Sequence, residues 1–248
     1  MKKILIGFLF LCSSIFASTL NIAVAANVSY AINDLIKEFN KTNPDTKIQV
    51  TLGSSGKFTA QIQNGAPFDV FMSADMKFPQ NLSDLKLTLD EPTLYAQGSL
   101  AMLSVKELDF SKGINLVLDE NIIKVAIANP KTAPYGTATI EAMKNANILE
   151  KVESKFIFAE SISQTVTYAM NASDIGFIAK SSLYDEKMSQ YKENINWVSV
   201  DPSLYTPIDQ GIVVLKNTKN EKEAKAFRDF ILSDEAKKIF IKFGYLVK

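Results

Sequence analysis

The sequence predicts an α/β protein of two lobes, in which each lobe is a mixed sheet flanked by helices. Two observations lead to this prediction. Short β-rich segments alternate with amphipathic helical patterns after the N-terminus, and the same alternation restarts at residue 124. Strands that alternate with helices form largely parallel sheets covered by those helices. Two such modules in one chain therefore predict two lobes.

The first module is predicted to contain three strands and two helices. The strands are expected at residues 20–25, 47–52 and 69–72, and the helices at 30–40 and 57–64. Ile32, Leu35 and Phe39 recur at helical spacing, which gives the first helix one apolar face. Residues 43–45 (Asn-Pro-Asp) and 53–56 (Gly-Ser-Ser-Gly) are of the types that favour turns and loops.

The second module and the C-terminal part repeat this pattern. Strands are expected at residues 124–128, 155–158, 174–179 and 212–215, and helices at 137–145, 161–171, 221–232 and 234–243. We expect the chain to cross between lobes near Gln97-Gly98 and to return near Asp209-Gln210-Gly211. Lobe 1 would then comprise residues 18–97 and 210–248, and lobe 2 residues 98–209.

The N-terminus has the pattern of a secretory signal peptide. Met1-Lys2-Lys3 precedes an apolar run at 4–11, and small and polar residues follow it. Cleavage is expected after Ala17, which places the mature protein in the periplasm. Cys12 raises the alternative of a lipoprotein, but bulky Leu11 stands where lipoprotein processing requires a small residue.

Three residue types are absent or nearly absent, which limits the chemistry available. There is no histidine, and the single cysteine, Cys12, leaves with the signal peptide. The usual general base and the thiolate metal ligands are therefore missing. The only arginine is Arg228, whereas sites that clamp carboxylates or phosphates prefer arginine. The mature chain is also slightly acidic, which argues against a nucleic-acid partner.

Four runs of small and polar residues follow predicted strands and precede predicted helices. They are residues 25–29, 53–57, 129–137 and 159–164. In sheets of this kind ligands bind beyond the carboxyl ends of the strands, and free N–H groups at helix starts favour anions. Asn27, Ser54, Ser55 and Thr137 would add neutral donors. A site made only of donors suits a deprotonated tetrahedral oxyanion.

Each run also has a structural explanation that needs no ligand. Ser161 followed by Gln164 matches a capping box, and Asn27 could be a helix N-cap. The Gly53–Gly56 run could be a plain turn, and Lys57 a solvated helix residue. The occurrence of four such runs, two in each module, favours a binding site over four separate structural features.

Beyond these patterns, the chain resembles a known family. The run 65–75 (Gly-Ala-Pro-Phe-Asp-Val-Phe-Met-Ser-Ala-Asp), with residues 25–27, 53–57 and 129–136, closely resembles the periplasmic molybdate-binding proteins of ABC transporters. The resemblance implies a type II periplasmic-binding-protein fold that closes on one desolvated molybdate or tungstate ion in the interlobe cleft. It places ligand contacts on Asn27, Ser55, Tyr135 and Ile162, the last two through backbone N–H groups.

One departure from the family pattern concerns the strand that ends at Ala179. Many members carry a tyrosine near this point, whose hydroxyl contacts the anion, whereas this chain has Ala179 followed by Lys180. Lys180 could supply a charged donor in its place, or it could be an ordinary surface lysine. Lys180 and Ser54 complete the set of predicted ligand-binding residues.

The resemblance implies a transport protein with no cofactor and no enzymatic activity. We expect a monomer that captures molybdate or tungstate and delivers it to an ABC permease in the inner membrane. Two alternatives stay open. The first is a binder of sulfate or phosphate on the same fold. The second is a secreted hydrolase in which Ser54 or Ser55 pairs with Lys57.

Overall fold

The computed structural model describes residues 18–247 as two mixed sheets with helices on both faces. The predicted signal peptide and Cys12 lie outside the described residues. The strands are β1 (Ser18–Ala25), β2 (Thr46–Gly53), β3 (Val70–Met72), β4 (Thr93–Gly98), β5 (Leu100–Leu103), β6 (Val125–Ala128), β7 (Phe156–Ala159), β8 (Ile175–Ala179), β9 (Trp197–Ser199) and β10 (Ile208–Val214).

The α-helices cover these sheets and are joined by short 3₁₀ segments. The helices are α1 (Ile32–Phe39), α2 (Ser55–Gln63), α3 (Lys77–Asp84), α4 (Pro134–Asn145), α5 (Leu149–Val152), α6 (Ile162–Asn171), α7 (Glu221–Ile231) and α8 (Asp234–Lys242). The 3₁₀ segments are Ala26–Tyr30, Phe110–Leu118, Glu153–Lys155, Lys180–Tyr184, Glu186–Met188 and Pro202–Leu204. Within residues 18–247, none of the helices is both long and apolar enough to cross a membrane.

The two sheets share one pattern of strand order. The first sheet has the order β2-β1-β3-β10-β4, and the second has the order β7-β6-β8-β5-β9. In the first, β1 is parallel to β2 and β3, and β10 is antiparallel to β3 and β4. In the second, β6 is parallel to β7 and β8, and β5 is antiparallel to β8 and β9. The predicted fold class of two α/β lobes is confirmed.

Each sheet has an apolar core on both faces, because successive side chains of a strand point to opposite sides. In β1, Ile22 packs in a cluster with Phe39 of α1 and Phe227 of α7, while Ala23 packs in another with Phe58 of α2. The rings of Phe39 and Phe227 meet edge to face at 5.3 Å. In the second sheet, α4 covers one face and α6 the other. The sheets are thus held rigidly beneath the loops at their carboxyl ends.

The chain connects the two sheets twice. β4 ends at Gly98 in the first sheet, and β5 begins at Leu100 in the second. The chain returns through residues 200–207 and enters β10 at Ile208, four residues before the predicted strand. Asp209 and Gln210 are paired with β4 although they resemble turn residues, and the register shifts between Gln210 and Gly211. The lobe boundaries at 97/98 and 209/210 remain a prediction.

Two helices begin earlier than predicted, and both differences affect the site. The second helix begins at Ser55, inside the predicted loop, after Ser54 in an extended conformation. The fourth begins at Pro134 instead of residue 137. Proline is well tolerated in the first turn of a helix, because its missing N–H would have no partner there. Strands β4, β5 and β9 and helix α3 are further elements that the sequence patterns did not predict.

Candidate functional site

The four predicted runs meet around one small pocket between the two sheets. The cavity volume of the pocket is about 10 Å³. It is lined by Ala25, Ala26, Asn27, Gly53, Ser54, Ser55, Ala74, Ala133, Pro134, Tyr135 and Ile162. Five of the six predicted ligand-binding residues therefore lie together. The sixth, Lys180, is not among the lining residues.

Three helices direct their N-termini at the pocket. Ser55 is the first residue of α2, Ile162 is the first of α6, and Tyr135 is the second of α4. The first N–H groups of a helix have no intrahelical acceptor, and the helix dipole places partial positive charge there. Two of these helices come from the second lobe and one from the first. A small anion in the pocket would be met by N–H donors from both lobes.

The Ser54 and Ser55 hydroxyls are buried at the first-lobe side of the pocket. The Ser55 oxygen accepts the N–H of Ala74 at 2.9 Å, which leaves the Ser55 hydroxyl hydrogen free to donate. The Ser54 hydroxyl is buried without a hydrogen-bond partner among the described residues. A buried polar atom without a partner is costly, and a ligand that accepts from it removes that cost.

Asn27 is fully buried beside β1, and its amide is engaged in an unexpected way. Its Nδ2 donates to Gln210 Oε1 at 2.8 Å and to the Tyr245 hydroxyl at 3.0 Å. Its Oδ1 has no partner among residues 18–247. The sequence predicts a donor at this position, whereas in this orientation the free atom of the amide is an acceptor. The difference arises because the two amide hydrogens are held by partners distant in sequence.

The sequence does not predict the buried hydrogen-bond network behind Asn27. Gln210 Oε1 accepts from the Tyr95 hydroxyl at 2.8 Å, and Gln210 Nε2 donates to the Tyr135 hydroxyl at 3.3 Å. Burial raises the pKa of Tyr95, Tyr135 and Tyr245 well above the ordinary tyrosine value, so all three remain protonated. No local spacing indicates these contacts, because they join residues from 75 to 218 positions apart.

Contacts between the lobes close over the pocket. Gly56 N–H donates to the carbonyl of Thr132 at 2.8 Å, and a Cβ at Gly56 would lie 2.9 Å from Thr132 Cα. Glycine is therefore needed for this approach. The Lys57 ammonium forms an ion pair with Glu160. Lys57 is thus engaged across the cleft, and the Ser–Lys arrangement of a hydrolase is not formed.

Lys180 and Arg228 both have partners away from the pocket lining. The Lys180 ammonium lies over the ring of Trp197, 5.7 Å from its centroid, and the Lys180 N–H donates to the carbonyl of Ser99. Lys180 is thus not among the residues that line the pocket, and its role as a charged donor stays a prediction. Arg228 forms ion pairs with Asp90 and Asp229. The described residues contain no cluster of three or more His, Cys, Asp or Glu that could hold a metal ion.

The chain is similar in sequence to one protein family and to two molybdate-binding proteins. Residues 20–246 match the model of a family described as bacterial extracellular solute-binding protein. The chain is 34% identical over 232 residues to the molybdate-binding protein ModA of Azotobacter vinelandii, covering 92% of this chain and 90% of that protein. It is 34% identical over 229 residues to ModA of Rhodobacter capsulatus, covering 91% and 87%.

A solved structure extends the comparison to the fold. The structure of the periplasmic molybdate-binding protein of Azotobacter vinelandii superposes with a TM-score of 0.85 and 28% identity. The superposition covers 92% of this chain and 99% of the other. The family match extends over nearly the whole described chain and includes every residue that lines the pocket. The chain belongs to the family of bacterial extracellular solute-binding proteins.

Proposed function

We propose that this protein captures molybdate or tungstate in the interlobe pocket and delivers it to an ABC permease. The observation that carries the proposal is the lining of the pocket, where helix N-termini and serine hydroxyls converge without a lysine or arginine. A deprotonated tetrahedral oxyanion has only acceptor atoms, so a set of neutral donors can satisfy it. The molybdate-binding relatives support the choice of ion.

The pocket also accounts for strong binding without a countercharge. Hydrogen bonds from neutral donors to an ionised acceptor contribute about 1.5–3 kcal/mol each. Contacts between the lobes lie over the pocket, and electrostatic interactions are stronger where a site is shielded from water. The ligand-binding residues that we propose are Asn27, Ser54 and Ser55 through their side chains, and Tyr135 and Ile162 through backbone N–H groups. Lys180 is left out because of its place over Trp197.

The cellular role follows from the same proposal. The protein acts in the periplasm as a monomer after removal of residues 1–17. It presents the closed, loaded form to the permease, and it does so without a cofactor, catalysis or a nucleic-acid partner. Closure occurs as a hinge motion about the connections at residues 98–100 and 200–207.

Calorimetric titration of the purified protein with molybdate, tungstate, sulfate and phosphate tests this function. We expect tight one-to-one binding of molybdate and tungstate and at least hundredfold weaker binding of sulfate and phosphate, because the smaller ions cannot reach all donors at once. Tighter binding of sulfate or phosphate would assign the protein to the alternative oxyanion. Hydrolysis of a chromogenic ester that is lost in Ser55→Ala would instead support the hydrolase.

A further inference from the structure

The side-chain amide of Gln210 lies outside the proposed ligand contacts but is hydrogen-bonded to one of them. It is fully buried in β10, behind the pocket. Its Oε1 accepts from Asn27 Nδ2 and from the Tyr95 hydroxyl, both at 2.8 Å. Its Nε2 donates to the hydroxyl of Tyr135 on α4 of the second lobe. Gln210 therefore joins a proposed ligand contact to side chains of both lobes.

The hydrogen bonds of Asn27 conflict with the role of an anion donor. Both of its amide hydrogens are used by Gln210 and Tyr245, and its free atom is Oδ1. A deprotonated oxyanion has only acceptor atoms and would be repelled by this oxygen. The Asn27 side chain can donate to the anion only if its amide turns by 180°, which exchanges Oδ1 and Nδ2.

Such a turn requires a second turn at Gln210. With Asn27 alone turned, its Oδ1 would face Gln210 Oε1 at the distance of a hydrogen bond, and two acceptors would be in contact. If the Gln210 amide turns as well, Nε2 donates to Asn27 Oδ1 and faces the Tyr95 oxygen. Gln210 Oε1 then accepts from the Tyr135 hydroxyl.

The surrounding hydroxyls can follow these turns without any change in heavy-atom position. The Tyr95 hydroxyl has a second acceptor, the carbonyl of Ser73, at 3.1 Å. The Tyr245 hydroxyl can turn from the carbonyl of Asn27 to its Oδ1, because Ser181 still donates to that carbonyl at 3.0 Å. Every buried polar group of the network, apart from the Asn27 amide atom that is left for the ligand, therefore has a partner in both arrangements.

We propose that Gln210 is a positioning residue that determines ligand specificity, because its amide orientation decides whether Asn27 offers a donor or an acceptor. The inference rests on the proposed oxyanion-binding function. With both amides turned, the pocket selects a fully deprotonated oxyanion. The orientation in the structure suits an oxyanion that carries a proton, since an O–H group can donate to Asn27 Oδ1.

Nuclear magnetic resonance can observe the orientation directly in ¹⁵N-labelled protein saturated with molybdate. The side-chain amide signals of Gln210 are identified by their loss in Gln210→Met. We expect nuclear Overhauser effects from these amide protons to the Tyr95 ring, because Nε2 faces Tyr95 in the turned arrangement. Effects only to the Tyr135 ring in the molybdate-bound protein would overturn the inference and leave the proposed function intact.

Affinity measurements on two variants give an independent readout. In Gln210→Glu, titrated at pH 9 to favour the ionised form of the buried carboxyl, the carboxylate only accepts, so it holds Asn27 Nδ2 and keeps Oδ1 towards the anion. We expect at least a hundredfold weaker molybdate binding. In Gln210→Met the Asn27 amide is free to turn, and we expect a loss below tenfold. Equal losses in both variants, with unchanged circular dichroism, would overturn the inference. Failure of the unaltered protein to bind any of the four anions would instead refute the proposed function.

Discussion

The hydroxyl oxygen of Ser55 accepts a hydrogen bond from the backbone N–H of Ala74 at 2.9 Å. The bond joins the first residue of α2 to the segment after β3, and it orients the serine so that its own hydrogen remains available. A residue predicted from sequence as a donor is thus held in place by a contact that the sequence does not indicate.

Ser55→Ala is expected to weaken molybdate binding by about tenfold to a hundredfold, because one donor to a buried charged acceptor is worth about 1.5–3 kcal/mol. The variant should also unfold at a lower temperature, since the Ala74 N–H loses its partner. Calorimetry and thermal unfolding measure the two effects. Ser173→Ala is the matched control, because Ser173 lies beyond the C-terminal end of α6 and its hydroxyl donates to the carbonyl of Tyr168. Equal affinities of Ser55→Ala and the unaltered protein would remove Ser55 from the site.

The ion pair between Lys57 and Glu160 should slow release of the ligand, because it joins the lobes across the pocket. Both side chains are about half exposed, so the pair is worth ~1 kcal/mol at most. We expect Lys57→Met to raise the dissociation rate by up to about fivefold in stopped-flow measurements at low salt. The difference should shrink as salt is added.

Lys41→Met is the control for this effect, since Lys41 pairs with Glu38 within the first lobe. A dissociation rate in Lys57→Met equal to that in Lys41→Met would show that the ion pair does not contribute to closure.

Lys180→Met is expected to leave molybdate affinity unchanged within about twofold. The Lys180 ammonium lies over the ring of Trp197 and not in the pocket. The variant should therefore alter the fluorescence of Trp197 but not the binding isotherm or its salt dependence. A tenfold loss of affinity would return Lys180 to the ligand-binding set.

Molybdate affinity is expected to be nearly constant between pH 6 and pH 9. Burial disfavours the phenolate and so raises the pKa of Tyr135 and Tyr245, which keeps their hydroxyls protonated as pH rises through this range. The proposed contacts Asn27, Ser54 and Ser55 do not titrate there. Titrations in buffers matched for ionic strength measure this, and a steady fall in affinity from pH 7 to pH 9 would contradict it.

The parts of the site that sequence predicts are those that depend on local pattern. Ser54, Ser55, Tyr135 and Ile162 are predicted to lie together because each is in a short polar run between a strand and a helix, and the carboxyl ends of neighbouring strands come together. The structure places all four in the lining of one pocket. Lys180 also follows a strand, but local pattern does not show which way a long side chain turns. Its packing on Trp197 depends on the pairing of β5 with both β8 and β9.

The hydrogen-bond network around Gln210 could not be predicted, because it also depends on contacts between residues that are distant in sequence. Gln210 lies where the sequence predicts only the return between lobes, and its partners Asn27, Tyr95 and Tyr135 are far from it in sequence. Their contact depends on β10 entering the first sheet from the other end of the chain. A Cβ at Gly98 would lie 2.0 Å from the Tyr135 hydroxyl. The network therefore also requires a residue without a side chain at position 98.

The most direct test of the central claim is anomalous X-ray scattering from crystals grown with tungstate. The account predicts one strong tungsten peak per chain, within hydrogen-bonding reach of Ser55, Tyr135 and Ile162 through one shell of oxygen atoms. It also predicts no lysine or arginine nitrogen in contact with those oxygens. A tungsten peak on surface lysines, with none between α2, α4 and α6, would contradict the account.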